Sequence, residues 1–238
     1  MKWIFYICLV KVSHCYVNVA FNKPAYQQNH VHKNYSTGDA SNAVDGRKSD
    51  LTRSGGQCVI STTRETATWW VNLTSIHSIH HITVYYMTNN KSWGASNDLT
   101  RNFLGFSLYV SNTTNKLHGT LCFKDTNFTL DTIPAVFTTI CPVYGQYVIY
   151  YNERLTSVTY PEYYSFSVGN NLCEVEVYGC PVAGCYGSTD SFPCPDVNCH
   201  YCHKETGTCQ MCQPGYIGPR CELSYFAYLR IHPKHFDQ

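Results

Sequence analysis

The sequence predicts an all-β protein, a β-sandwich or jelly roll followed by a small disulfide-rich module. Three observations carry that prediction. Aromatics make up 15% of the 238 residues, with 20 Tyr against 3 Met, a bias toward side chains that pack on a pleated sheet. Short β-branched and aromatic runs recur between turn residues, and no stretch has the periodicity of a three-turn helix. Cysteine is unevenly spread: four lie between Tyr16 and Gly179, whereas Cys180 to Cys221 holds eight in 42 residues. The first region must be held chiefly by a hydrophobic core, while the second, rich in Pro and Gly, is too small for one and needs crosslinks. The chain therefore divides into residues 1–15, 16–179, 180–223 and a tail, 224–238.

Met1 and Lys2 precede the apolar run Trp3 to Val10, and Ser13 and Cys15 place small residues before a cleavage point. Residues 1–15 read as a secretory signal peptide, with a buried first strand as the alternative. Its removal leaves 12 cysteines, an even number suited to complete pairing in an oxidising compartment. Sequons at Asn34, Asn72, Asn90, Asn112 and Asn127 fit a glycosylated, secreted ectodomain. With 17 Lys+Arg against 16 Asp+Glu there is no field to attract nucleic acid, and no stretch is long and apolar enough to span a bilayer.

Strands are expected at Trp69–Leu73, Ile79–Met87, Phe103–Ser111, Ala135–Ile140, Gln146–Tyr151 and Cys173–Tyr178. Val148 and Tyr150 alternate with Ile149 and Tyr151, and Val175 and Val177 with Glu174 and Glu176, the pattern of a sheet with one buried face. Trp69-Trp70 reads as core and sheet packing. His77, His80 and His81 cluster, but the interleaved Ile residues mark a strand, in which alternation sends His80 and His81 to opposite faces. Asn89 to Arg101 has no periodicity and reads as a long surface loop, with Trp93, Asn97 and Arg101 as candidate ligand contacts. Cys199-His-Tyr-Cys202-His203 matches a haem-attachment pattern, and Cys199-x2-Cys202 with Cys209-x2-Cys212 mimics a zinc site. The six residues between those pairs are too few for a zinc ribbon, and an oxidising compartment favours disulfides. Motifs for nucleophilic or metal-assisted hydrolysis are missing, so no enzyme is expected.

Four motifs in order, Asn18-Val-Ala-Phe-Asn-Lys-Pro-Ala, Ala40-Ser-Asn-Ala-Val-Asp-Gly46, Trp69-Trp-Val-Asn-Leu73 and Leu172-Cys-Glu-Val-Glu-Val-Tyr178, resemble the F-type lectin (fucolectin) domain over residues 17 to 179. Trp93-Gly94, Phe103 to Thr114 and Cys141 to Tyr151 are similar to the lectin-like heads of molluscan proteins with multiple EGF-like domains. The resemblance implies a discoidin-type jelly roll (F5/8 type C-like) and disulfides Cys58–Cys173 and Cys122–Cys141. The spacing from Cys194 to Cys221 resembles an EGF-like module, which implies pairs Cys194–Cys202, Cys199–Cys209 and Cys212–Cys221 and leaves Cys180 with Cys185.

The resemblance also implies calcium, held by the carboxylates of Asp45 and Glu174 and the backbone carbonyls of Asn42, Arg47 and Cys173. Gln57 stands where the family has a Ser ligand and would enter through its amide oxygen. Without the resemblance, Asn42 to Gly46 is an Asx-type turn. F-type lectins hold fucose with a His and two Arg; here Ile60 and Met87 occupy the first two positions and only Arg101 matches, so the usual fucose mode is not expected. The functional expectation is an extracellular, non-catalytic recognition protein, a degenerate lectin head for glycan or protein ligands, with a spacer or protein-interaction ectodomain as the rival. The cysteine-free tail reads as a truncated or alternative end.

Overall fold

The computed structural model describes residues 17–31, 38–180, 185–186, 192–193, 196, 198–203 and 206–225. The expected signal peptide, the Asn34 sequon, Cys194 and residues 226–238 lie outside the described residues.

Seven strands of the first region form one antiparallel sheet: β1 (Val17–Asn18), β2 (Ala25–Gln27), β3 (Thr66–Tyr86), β4 (Ser107–Ser111), β5 (Thr120–Lys124), β6 (Val136–Glu153) and β7 (Leu172–Cys180). Their order is β1-β7-β3-β6-β4-β5, with β2 pairing the first part of β3. Four expected strands are halves of two long ones, because β3 runs for 21 residues and β6 for 18. Register shifts between Asn72 and His77 and between Ile79 and His81 divide β3. Its first half pairs with β2 and the end of β6, and its second half with β7 and the start of β6. Such bulges bend and twist a strand, which lets one sheet supply both walls of a sandwich. Trp69, Val71 and Leu73 from the first half and Ile82, Val84 and Tyr86 from the second belong to one buried cluster. Val148, Tyr150, Val175 and Val177 join it, as their alternation requires.

Three local expectations are corrected. The strand expected from Phe103 begins only at Ser107, because a 3₁₀ turn (Thr100–Asn102) and Gly105, at φ +78°, occupy the approach. Glu174 and Glu176, expected on a solvated face, are buried, since residues 46 to 48 cover that side of β7: the Gly46 amide donates to Glu174 and Lys48 pairs with Glu176. His80 and His81 do not diverge. The register shift between Ile79 and His81 brings their Nδ1 atoms to 2.9 Å, and His81 stacks on Tyr178.

Disulfides Cys58–Cys173 and Cys122–Cys141 cross-link the sandwich. Among the described residues of the second region there are three two-stranded ribbons: β8 (Cys185–Tyr186) with β9 (Phe192–Pro193), β10 (Cys199–Cys202) with β11 (Cys209–Cys212), and β12 (Tyr216–Ile217) with β13 (Leu223–Ser224). Cys199–Cys209 and Cys212–Cys221 are bonded, and Cys180 and Cys202 are also in disulfides. Buried Cys199, Cys202 and Cys221 form its core, so cystine takes the place of aliphatic packing. The sulfurs of Cys199, Cys209 and Cys221 lie together, but all are oxidised, which removes the thiolates a zinc ion needs.

Candidate functional site

The two carboxylates of the expected calcium site come together at β7. A 3₁₀ turn, Ala40–Ala43, leads into Asp45 and Gly46, and Gly46 takes φ +78° with its amide 3.2 Å from each Glu174 oxygen. Asp45 accepts from the Arg47 amide at 2.8 Å and faces the Arg47 guanidinium at 3.7 Å. Asn42 donates its side-chain amide to the Cys58 carbonyl at 3.1 Å, which anchors the loop beside the disulfide. Burial drives the Glu174 carboxyl up to about 8; the Gly46 amide opposes this, while the Asp45 and Glu176 charges add to it. Lys48, whose charge acts on Glu174, is engaged by Glu176 and the face of Tyr85. Two carboxylates in a partly dehydrated pocket fit a hard cation with oxygen ligands. Cys173 sits where the β3–β7 register shifts, between the pairs formed by Glu174 and Leu172. Gln57 does not join the set: its amide oxygen accepts from the Ser49 and Asp50 amides at 2.9 and 3.0 Å and caps its own loop.

The positions expected to have lost fucose contacts are packed. Ile60 and Met87, at 7% and 1% exposure, form a small apolar cluster with the Cys58–Cys173 disulfide, backed by Val31, Leu51 and Leu99. Of the three candidate ligand contacts, two serve the loop itself. Trp93 stacks against Tyr86 and donates its indole N–H to the Ile133 carbonyl at 2.8 Å. Buried Asn97 donates to the Thr88 carbonyl at 2.9 Å and accepts from the Leu99 amide at 3.1 Å. With their polar atoms so engaged, both brace the loop. Arg101 is exposed, and its carbonyl accepts from Arg154 and Ser165. It is not among the described residues that line the adjacent cleft.

That cleft, of about 840 Å³, opens beside Ile60. Val31, Gly38 and Ile60 line its apolar part. Thr52, Arg53 and Ser54 reach it from one loop, and Asn89 and Lys91 from another. His30, beside Asp39 at 2.9 Å, completes the described lining. Side chains pin the two loops together: Asn89 accepts from the Arg53 amide at 3.1 Å, while Asn90 accepts from the Leu51 amide at 3.0 Å and donates to Asp50 at 3.1 Å. Asn89 and Asn90 both take φ 53°, a conformation Asn tolerates better than most residues. Sequence reasoning overlooked Arg53 and Lys91; the turn-rich Thr52-Arg-Ser-Gly-Gly56 just before Cys58 was the available signal. Among the sequons, Asn90 is built into this clamp and Asn72 into β3, whereas Asn112 and Asn127 are exposed outside strands.

Residues 193–231 match the laminin EGF domain family. The N-terminal part aligns with the fucolectin of striped bass (Morone saxatilis) serum at TM-score 0.50 and 21% identity, over 69% of this chain and 49% of that one. An F-lectin-like fold precedes a laminin EGF domain. The chain thus spans about half the length of the striped bass fucolectin chain. A fucose binding module of Streptococcus pneumoniae, SpX-3, aligns at TM-score 0.46 and 16% identity over 69% of this chain and 98% of that one. The lectin domain of lectinolysin complexed with Lewis B antigen aligns at 0.47 and 20%, over 69% and 97%. No curated protein sequence matches. The laminin EGF match begins beyond Cys180 and Cys185 and takes in the first part of the tail, where β13 pairs with β12.

Proposed function

We propose that this chain is an extracellular, non-catalytic recognition protein whose F-lectin-like head binds glycan in the cleft beside Ile60, with calcium steadying the loop at Asp45 and the laminin EGF domain as a disulfide-held extension. The cleft carries this reading: it has the size of a small-ligand site and combines an apolar lining with a few polar side chains on two mutually pinned loops. The likeness of the head to a serum fucolectin makes saccharide the first ligand class to test. When bound, calcium would neutralise Asp45 and Glu174 and tie β7 to the loop that also anchors to Cys58. Secretion accords with the cystine-held module, and among the described residues no helix is long and apolar enough to cross a membrane.

One observation favours a protein-binding spacer instead, namely the burial of Ile60 and Met87 in place of hydrogen-bonding side chains. A glycan array on the secreted protein, with calcium and with chelator, separates the two. Glycan binding makes a set of hits that free sugar competes away and that weakens in chelator; a spacer gives no competable hit under either condition.

A further inference from the structure

The glycan reading of the cleft leaves the charge of its ligand open, and the side chains around it supply an answer. Arg53 and Lys91 bring two cations to the cleft, and none of its described lining residues is a carboxylate. Both side chains are exposed and have no hydrogen-bond or ion-pair partner among the described residues. The acidic residues on the neighbouring segments, Asp39 and Asp50, are not among the described lining residues. Asp39 faces His30 at 2.9 Å, and Asp50 accepts from the Thr52 amide at 3.0 Å and from Asn90 at 3.1 Å.

The cations also come preassembled at the level of the backbone. Arg53 has its amide fixed by Asn89, and Lys91 follows the Asn89-Asn90 pair that clamps the two loops. Less loop ordering then remains to be done on binding. The same cleft has an apolar part, formed by half-buried Val31 and the edge of Ile60, behind which the Cys58–Cys173 disulfide and Met87 are packed. A pyranose has an apolar face for such a wall, and an anionic substituent on it would find the Arg fork and the Lys ammonium within one cleft. The chain's formal net charge is only +1, so a preference for anions would belong to this cleft and not to the whole surface.

The geometry points to an acidic saccharide, one bearing a carboxylate or a sulfate, as the ligand of the Arg53–Lys91 cleft. This deepens the glycan reading and rests on it. It departs from neutral fucose held through the positions of Ile60 and Met87, neither of which can form a hydrogen bond through its side chain of the strength that site needs.

The test is a glycan array of matched pairs, each neutral glycan beside its sulfated, sialylated and uronate-bearing counterparts, probed with the full secreted chain in calcium. Acidic members should be bound about tenfold or more tightly than their neutral partners, and added salt should weaken them. The double variant Arg53→Ala/Lys91→Ala should lose that preference at an unchanged melting temperature, while Lys124→Ala, a cation on β5, should behave as wild type. The sulfated and carboxylated arms tell which anion is taken. Equal binding of neutral and acidic members would keep the glycan reading and overturn this inference. Acidic binding that survives in the double variant would overturn it too, by locating the contact elsewhere. An array with no hit, or capture of acidic peptide alone in a parallel peptide array, would remove both.

Discussion

Met87 packs with the Cys58–Cys173 disulfide and Glu174 follows Cys173 on β7, and their surroundings set opposite rules for charge. Met87 is enclosed by apolar side chains, so Met87→Arg would bury among them a guanidinium that cannot shed its proton. An uncompensated buried charge costs about 3 to 5 kcal/mol, which for a domain of this size lowers the melting temperature by about 10 °C. Restoring the Arg of a fucose site should therefore destabilise the head without creating fucose affinity; a stable, fucose-binding Met87→Arg/Ile60→His variant would contradict this packing. Glu174 is the opposite case. Folding lifts its carboxyl from the ordinary 4.5 to about 8, so the folded state holds the proton more tightly, and that stabilisation is full below 4.5 and lost as pH rises through about 8. In chelator, the wild-type melting temperature should fall across that window, whereas Glu174→Gln should stay comparatively flat, and calcium should raise the melting temperature of the wild type alone. Identical pH profiles for the two proteins in chelator would contradict the assignment. Asp45 and Glu174 were legible as a pair because a carboxylate beside Gly46 and a motif after Cys173 are visible in sequence. For Trp93 and Asn97 the sequence does not show that the loop uses the indole N–H and the amide for its own backbone, which only the fold reveals.

At the scale of elements, alternation placed Val148, Tyr150, Val175 and Val177 in the core, but it did not show that Ile149, Glu174 and Glu176 on the other side of the same strands are buried as well. It could not show that β3 and β6 continue through their breaks, because a bulge consumes residues without a turn signature. Nor could it place His80 and His81 together, since period two fails wherever the register shifts. β5 escaped notice for another reason: its residues are exposed or half-buried, so burial left no pattern to read. The close approach of β7 to β3 gives a direct check on the observed register. A Cβ on Gly179 would clash with the Ser78 carbonyl oxygen, a backbone atom that cannot move aside alone. Gly179→Ala should therefore destabilise the head by about 1 to 3 kcal/mol, read as a lower urea midpoint at unchanged slope. An unchanged midpoint would show that β7 pairs differently.

The whole molecule joins two solutions to the problem of stability. The F-lectin-like head buries a large aromatic and aliphatic core, and its cystines add to that core. In the laminin EGF domain, buried cysteines are the core. Mild reduction should accordingly abolish hydrogen-exchange protection in the Cys199–Cys212 ribbon first, while amides of Trp69 to Leu73 and Val175 to Val177 remain protected. Simultaneous loss in both would mean that the head also depends on its cystines. The contrast in cysteine density made this division readable from the sequence, whereas the cleft was not, because it forms from segments far apart in the chain that only the fold brings to one place. We place ligand recognition in that cleft. An NMR titration of the labelled full chain with the tightest-bound glycan tests it most directly: the largest amide shifts should fall on Arg53, Ile60 and Lys91, whereas shifts centred on the stacked Tyr26 and Trp70 of the sheet, or none at all, would contradict it.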